Sequence, residues 1–233
     1  MNRHQVLNSP AIRRMPVYYH RLMVLQEMGE SVVSAASLAR FIGLATILVR
    51  KDLELTGVPG GRGVGYKIDE LQEGIRAYLG WDKWLSACLI GAGALGTALL
   101  GFHEFAEYGL NIREVFDNSP DKIGKEVFGR QVRNVSELPE VLARGKIEMA
   151  ILCVPVSAAQ AIADTVVAGG VRLIWNFSNT CLSVPPEVIV QRELIAGGYA
   201  VLSRKRKQHA VPASVPRGPA GGGIDPEPRE RRD

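Results

Sequence analysis

Three glycines spaced G-x-G-x-x-G, Gly91, Gly93 and Gly96, are the residues of this chain whose spacing points most directly to chemistry. An apolar run, Trp84 to Ile90, leads into them, and helix-favouring residues, Ala94 to Phe105, follow. Between a strand and a helix, such glycines form a phosphate cradle. Gly91 permits the tight turn, Gly93 lets a pyrophosphate approach the backbone, and Gly96 lets the helix pack closely on the strand. The helix N-terminus adds free N–H groups and a positive dipole end. A glycine-rich turn can also serve packing alone, so a second signal matters. A further predicted strand, Ile112 to Phe116, ends in Asp117, 21 residues beyond Gly96. A carboxylate there accepts from a ribose 2′-hydroxyl and repels a 2′-phosphate, which favours NAD⁺/NADH over the phosphorylated dinucleotides. The cofactor contacts predicted from this motif are Gly91, Ala92, Gly93, Ala94, Leu95, Gly96 and Asp117.

The elements that must position this loop follow from the same stretch. After the turn Asn118-Ser119-Pro120-Asp121 the pattern predicts a helix near Ser136 to Arg144 and a strand, Met149 to Val154. A helix capped by Ser157, Ala158 to Val167, comes next, then a strand, Val171 to Trp175. Strands alternating with helices imply a doubly wound parallel sheet, an α/β Rossmann architecture. Ligands of such sheets lie at the carboxyl ends of the strands, which adds Val154, Pro155 and Asn176 to the predicted cofactor contacts. A final helix is predicted over 191–207, ending in Arg204-Lys205-Arg206-Lys207, and a Pro- and Gly-rich tail, 208–233, reads as disordered.

Residues 1–80 read differently. A loose arm, 1–12, precedes a helix from Arg14 to Met28 that Gly29 stops. Ser34 is placed to cap a short helix, Ala35 to Phe41, ended by Gly43, and a third helix, Ala45 to Leu55, closes at Gly57. The glycine-rich stretch Gly57 to Ile68 carries Arg62 near its tip, as a β-hairpin wing would, and a connecting helix follows over 69–82. Together these predict a winged helix-turn-helix whose third helix enters a major groove. Arg50 and Lys51 would meet phosphates or base edges, Thr46 and Ile47 bases, and Arg62 the backbone or minor groove. An exposed basic helix face is the alternative for Arg50 and Lys51, and Asp52 is expected to pair with a neighbouring cation.

The overall charge of +4 is unevenly distributed. Residues 1–68 hold nine Lys/Arg against four Asp/Glu, residues 69–190 ten against fifteen, and residues 191–233 nine against five. A basic first third ahead of an acidic middle suits an N-terminal part that meets a polyanion. No apolar run approaches the ~20 residues that span a bilayer, and no signal-peptide core is present, so cytoplasm and no membrane partner are expected. Cys88, Cys153 and Cys181 lack metal-ligand or disulfide spacing, so no metal site is predicted. No catalytic residue is assigned, because a hydride-transfer enzyme needs a proton-relay group and a substrate pocket. After the nucleotide unit no substrate domain follows, only one helix and a tail; His103 follows the glycine loop and is read as a surface or interface histidine.

Several segments together resemble a known family. They are Arg14-Met15-Pro16-Val17-Tyr18-Tyr19, Val33-Ser34 with Leu38-Ala39, Val49-Arg50-Lys51-Asp52-Leu53 and Arg62-Gly63-Val64-Gly65-Tyr66. To these add residues 91–96, Val154-Pro155 with Ala159-Gln160, and Trp175-Asn176-Phe177 with Leu182-Ser183-Val184-Pro185. Over about residues 9 to 205 the chain resembles the Rex redox-sensing transcriptional repressors. The resemblance implies a homodimer whose winged helices, 1–80, bind an AT-rich palindrome of double-stranded DNA, with Arg14 among the contacts. It implies a Rossmann domain, 81–190, that binds NAD⁺ or NADH, and a C-terminal helix, 191–207, swapped between subunits. NADH would release the repressor. The chain departs from the family at Leu48, where many members carry Gln, so a different preferred operator is expected. Three polar switch positions also differ: His20 replaces Arg, Phe102 replaces Tyr, and Glu193 replaces Asp at the start of the last helix. The competing readings are an NAD-dependent oxidoreductase, a relative with an altered or lost NADH response, and a DNA-binding protein that uses the nucleotide fold only to dimerise.

Overall fold

The computed structural model describes residues 10–61 and 63–208. Arg62, the arm up to residue 9 and the predicted tail from 209 onward lie outside the described residues. Residues 10–12, expected in the arm, are instead the first turn of α1 (Pro10–Glu27). Its buried positions Met15, Tyr18, Tyr19, Leu22 and Leu25 recur at helical spacing and define the face turned to the core. Then come β1 (Val32–Val33), α2 (Ala35–Ile42), α3 (Thr46–Glu54), β2 (Tyr66–Lys67) and α4 (Ile68–Leu79). The Ser34 side chain accepts the Ser37 N–H at 3.0 Å, and Gly43 ends α2 with φ 74°. Those are the start and stop signals the sequence carries. The wing is formed differently from a self-contained hairpin. β2 pairs antiparallel with β1, Val33 opposite Tyr66, and Gly61 bridges Gly65 across the tip. The strand at Val32–Val33 escapes prediction because two residues carry no readable period.

The second layer of the unit is a seven-stranded sheet in the order β5-β6-β4-β3-β7-β8-β9. Its strands are β3 (Leu85–Ile90), β4 (Leu110–Asp117), β5 (Glu126–Val127), β6 (Arg130–Asn134), β7 (Met149–Leu152), β8 (Leu173–Asn176) and β9 (Ile189–Arg192). All pairs are parallel except β5 with β6. The helices are α5 (Ala94–Leu100), α6 (Leu138–Ala143) and α7 (Val156–Ala168). Along β3, Ala87 and Leu89 enter the core on one face and Cys88 and Ile90 the core on the other. A strand covered on both faces needs an unbroken apolar run, which is why β3 is so plain in the sequence.

Four expectations change. α5 stops at Leu100, and a 3₁₀ turn, His103–Ala106, replaces its predicted end. α7 begins at Val156 with Pro155 in the capping position, so Ser157 lies within the first turn and caps nothing. β5 and β6 stand where a loop was expected, because β6, Arg130-Gln131-Val132-Arg133-Asn134, has one apolar side chain and no amphipathic signal. Gln191 and Arg192 belong to edge strand β9, and the last helix, α8 (Ile195–Gln208), starts later than predicted. Glu193 therefore precedes α8, held by its N–H to the Asn176 carbonyl at 2.9 Å. The compact unit that contains both the winged helix and the sheet ends at Glu193; α8 belongs to a second unit. Among the described residues no helix is long and apolar enough to cross a membrane.

Candidate functional site

The glycine loop connects β3 to α5 at the carboxyl edge of the sheet, and each of its glycines has a separate reason. Gly91 has φ 100°, and a Cβ there would run into the Cys153 carbonyl of the neighbouring strand end. A Cβ on Gly96 would overlap the Gly91 carbonyl, so the helix can sit this close only without one. Gly93 differs: nothing lies within 4 Å of the position its Cβ would take. Packing does not demand glycine there, and the space it leaves opens into a cavity of about 480 Å³.

At the other side of the cavity the Asp117 carboxylate is buried and closely held. Oδ2 accepts from the Ala92 N–H at 2.8 Å and from Lys122 Nζ at 3.0 Å, and Oδ1 accepts from the Ser119 N–H at 2.8 Å. Burial alone would raise its pKa; the Ser119 N–H, Lys122 and the Ala92 N–H outweigh burial and hold it below the usual carboxylate value. The carboxylate is thus ionised at neutral pH, with its charge already countered by a lysine. Oδ1 keeps one acceptor direction.

Of the residues predicted from sequence, Gly91, Gly93, Asp117, Val154 and Pro155 line this cavity. Ala92 does not; its N–H is turned onto Asp117. Ala94, Leu95 and Gly96 form the first turn of α5 behind the loop. Asn176, expected at the cofactor, is not among the residues that line this cavity. It is fully buried, its Nδ2 donates to the Thr180 carbonyl at 3.0 Å, and its Oδ1 accepts from the Ser178 N–H and hydroxyl. These bonds pin the turn after β8. Residues unforeseen from sequence also line the cavity: Asn118, Ser119, Lys122, Val135, Ala158 and Ile162. The polar turn right after Asp117 was the available signal for Asn118 and Ser119.

The second site lies on α3. Val49, Asp52 and Leu53 point inward, while Ile47 (61 % exposed), Arg50 and Lys51 point outward and Thr46 is half-buried. Among the described residues neither Arg50 nor Lys51 forms an ion pair. Arg50 lines a cavity of about 730 Å³ with Ser34 and Ala36 at the start of α2 and with Gly60, Val64 and Tyr66 of the wing. Two cations outside any ion pair, one of them beside a helix start and a wing, suit a phosphate backbone.

Arg14, expected among the DNA contacts, is engaged with α3. Its guanidinium grips Asp52 through two hydrogen bonds, Nε to Oδ2 at 2.7 Å and a terminal nitrogen to Oδ1 at 2.8 Å, and the Tyr18 hydroxyl donates to Oδ2 at 2.6 Å. Burial pushes the Asp52 pKa up, but Arg14 and Tyr18 together bring it below the usual value. Burial, and then Asp52, push the Tyr18 hydroxyl up to about 12. Asp52 does pair with a cation as expected, and that cation is Arg14, which fastens α3 to α1.

The switch positions are dispersed. His20 is exposed, Phe102 packs edge-on against Phe105 at 4.8 Å, and Glu193 accepts from Gln191 Nε2 at 3.1 Å.

Comparison with known proteins fits this geometry. Residues 82–180 match the CoA binding domain family, and residues 8–54 match a family of DNA-binding protein N-termini. The redox-sensing transcriptional repressor Rex of Treponema denticola is 41% identical over 202 residues, covering 87% of this chain and 96% of that protein. The Rex protein of Rhodopirellula baltica is 42% identical over 185 residues, 79% of this chain and 78% of its own. This chain belongs to the Rex family. Its fold matches the crystal structure of RSP, a Rex-family repressor, in complex with NAD⁺ and operator DNA, with a TM-score of 0.77 at 32% identity over 86% of this chain and 93% of that one. The RSP complex with NADH gives the same TM-score at 31% identity, over 87% and 96%. Rex proteins are transcriptional repressors, which sets this chain apart from the oxidoreductases that use a similar nucleotide fold.

Proposed function

We propose that this Rex-family protein is a cytoplasmic, homodimeric repressor that binds an AT-rich palindromic operator and is released from it by NADH. The observation that carries the reading is that one compact unit, ending at Glu193, holds both an open glycine cleft facing an ionised aspartate and a recognition helix with uncompensated cations. The dinucleotide pyrophosphate would lie over Gly91 and Gly93, the adenosine ribose at Asp117, and the nicotinamide end toward Val154 and Pro155. Thr46, Arg50 and Lys51, with Arg62 of the wing, would meet the DNA. The relatives' complexes with NAD⁺, NADH and operator DNA support assigning both ligands. In this reading the expected parts, 1–80 for DNA binding, 81–190 for the nucleotide and 191–207 for dimerisation, keep their roles, with the last boundary moved past β9 to Glu193. α8 supports the last assignment: Ile195, Tyr199 (74 % exposed) and Leu202 are bare apolar side chains on a helix that contains Gly197 and Gly198. Such a helix gains its stability from a partner surface.

A shifted NADH response is the second reading, favoured by Phe102, whose ring has no hydroxyl to donate and packs instead on Phe105. Fluorescence anisotropy of a labelled AT-rich palindrome, titrated with NADH at fixed NAD⁺, tests both. Release by NADH and not by NAD⁺ supports the repressor. DNA binding that ignores both nucleotides selects a relative that has lost its signal.

A further inference from the structure

Where the winged helix meets the nucleotide fold, one side chain reaches three elements. Arg76 projects from α4 and donates to the Glu107 carbonyl in the turn before β4, to the Trp81 carbonyl in the link between the domains at 2.9 Å, and to the Tyr19 hydroxyl on α1 at 3.3 Å. Around it three rings form a continuous cluster. Trp81 stacks on Tyr108 at 4.5 Å, and Tyr19 stands edge-on to Trp81 at 5.7 Å and to Tyr108 at 6.2 Å. Each end of the cluster leads to a site. Glu107 and Tyr108 close the turn that follows α5, the helix that starts at the glycine loop. Tyr19 adjoins Tyr18, which with Arg14 holds Asp52 of α3, the helix of Arg50 and Lys51.

We propose that Arg76 is the positioning residue that couples nucleotide occupancy to the placement of α3. The inference rests on the repressor reading above and adds the route through which it would work. A guanidinium is a rigid fork of donors and keeps a fixed geometry while bonding to several acceptors at once. Two of its acceptors are backbone carbonyls, whose positions follow the turns that carry them. If α5 and its following turn shift when the glycine loop takes a dinucleotide, the Glu107 carbonyl moves with them. Arg76 then either carries α4 and α1 along or loses that bond. Either way the contact differs between two arrangements, and a ligand can bias an equilibrium only through such a difference. Spatial continuity alone does not establish coupling, so the test must measure coupling itself.

The full-length protein and its Arg76→Gln and Arg76→Lys variants are each titrated with an AT-rich palindromic duplex, without NADH and with saturating NADH. NADH affinity without DNA and the thermal midpoint are measured alongside. The ratio of the two DNA dissociation constants is the coupling factor, which for linked sites runs from about 5 to about 150. The Gln variant is expected to lower this factor at least about fivefold, toward the uncoupled limit, while still binding NADH, and Lys is expected to restore part of it through one charged donor. An Arg76→Gln protein with the wild-type factor overturns the proposal, even if its midpoint falls. The factor is a ratio within one variant, so a uniform loss of stability or affinity leaves it unchanged. Should Arg76→Gln fail to fold, Tyr108→Leu, which removes the ring stacked on Trp81, takes its place: a reduced factor supports the route and an unchanged one overturns it. A wild-type protein whose DNA affinity ignores NADH refutes the repressor reading, and the coupling with it. A coupled wild type with an equally coupled variant refutes only the role of Arg76.

Discussion

Asp52 and Asp117 are both buried carboxylates held ionised by the groups around them. Asp52 is kept ionised by Arg14 and Tyr18, so its folded pKa lies below the unfolded value of about 3.9. The stabilisation it gives is therefore complete above that value and is lost as pH falls through the folded one. Asp52→Asn is expected to cost about 1.5–3 kcal/mol at neutral pH, the worth of hydrogen bonds to a charged group. The deficit should shrink in acid, where the wild type loses the same interaction; urea unfolding at pH 7 and pH 3 measures it, and a deficit independent of pH would refute the assignment. Lys122 has a different consequence. By countering Asp117 it softens the repulsion that a bare carboxylate would exert on a 2′-phosphate. Because the ammonium is partly exposed and screened, Lys122→Ala should increase the preference for NADH over NADPH by about two- to fivefold. Titrating both dinucleotides on both proteins decides it, and an unmoved ratio would remove Lys122 from the ribose end. Asp117 itself was readable, because its distance from the glycine motif is fixed by one strand and one helix. The partners of Arg14 and Asn176 within the fold were not: residue type shows what a group can bond, and only the fold shows that Asp52 and Thr180 lie beside them.

The glycine loop and the sheet edges show the same division at the scale of elements. A run such as Leu85–Ile90, covered on both faces, announces itself in any sequence. So does α2, bracketed by a serine cap and a left-handed glycine. β6 and β9 do not: β6 has one apolar side chain, and the four residues of edge strand β9, Ile189-Val190-Gln191-Arg192, carry no alternating period. Within the loop the three glycines look alike in sequence but differ in the structure. Gly96→Ala would drive a Cβ into the Gly91 carbonyl, which is backbone and cannot swing away, so the thermal midpoint should fall by several degrees. Gly93→Ala meets no protein atom and keeps an ordinary φ of −79°. Its midpoint should stay near the wild-type value while NADH affinity falls about tenfold or more, the loss expected when a backbone contact with the pyrophosphate is held off. Calorimetry beside an NADH titration separates the two effects. If Gly93→Ala binds NADH as the wild type does, the pyrophosphate does not cross this loop.

On the scale of the whole molecule the division of labour falls between the compact unit ending at Glu193 and α8. The unit contains its own cores on both faces of the sheet and a separate core in the winged helix. Nothing in that inventory needs α8 for folding. α8, with exposed Ile195, Tyr199 and Leu202 and two internal glycines, has the opposite character and gains stability only on a surface. A chain ending at Glu193 should therefore unfold cooperatively and bind NADH, but sediment as a monomer at micromolar concentration. A palindrome offers two half-sites, and a dimer binds the second one as an intramolecular event. Losing that linkage should weaken operator binding by about 10²–10⁴-fold, the range over which effective concentration acts. The salt dependence should change with it, since each phosphate neutralised adds about 0.9 to the slope of log affinity against log salt. A monomer engages one recognition helix in place of two, so the slope should fall to about half while the specificity for the half-site sequence remains. Sedimentation velocity and anisotropy at several salt concentrations test both expectations on one preparation. A truncated chain that stays dimeric would move the dimer interface onto the compact unit, and the exposed face of α8 would then need another partner.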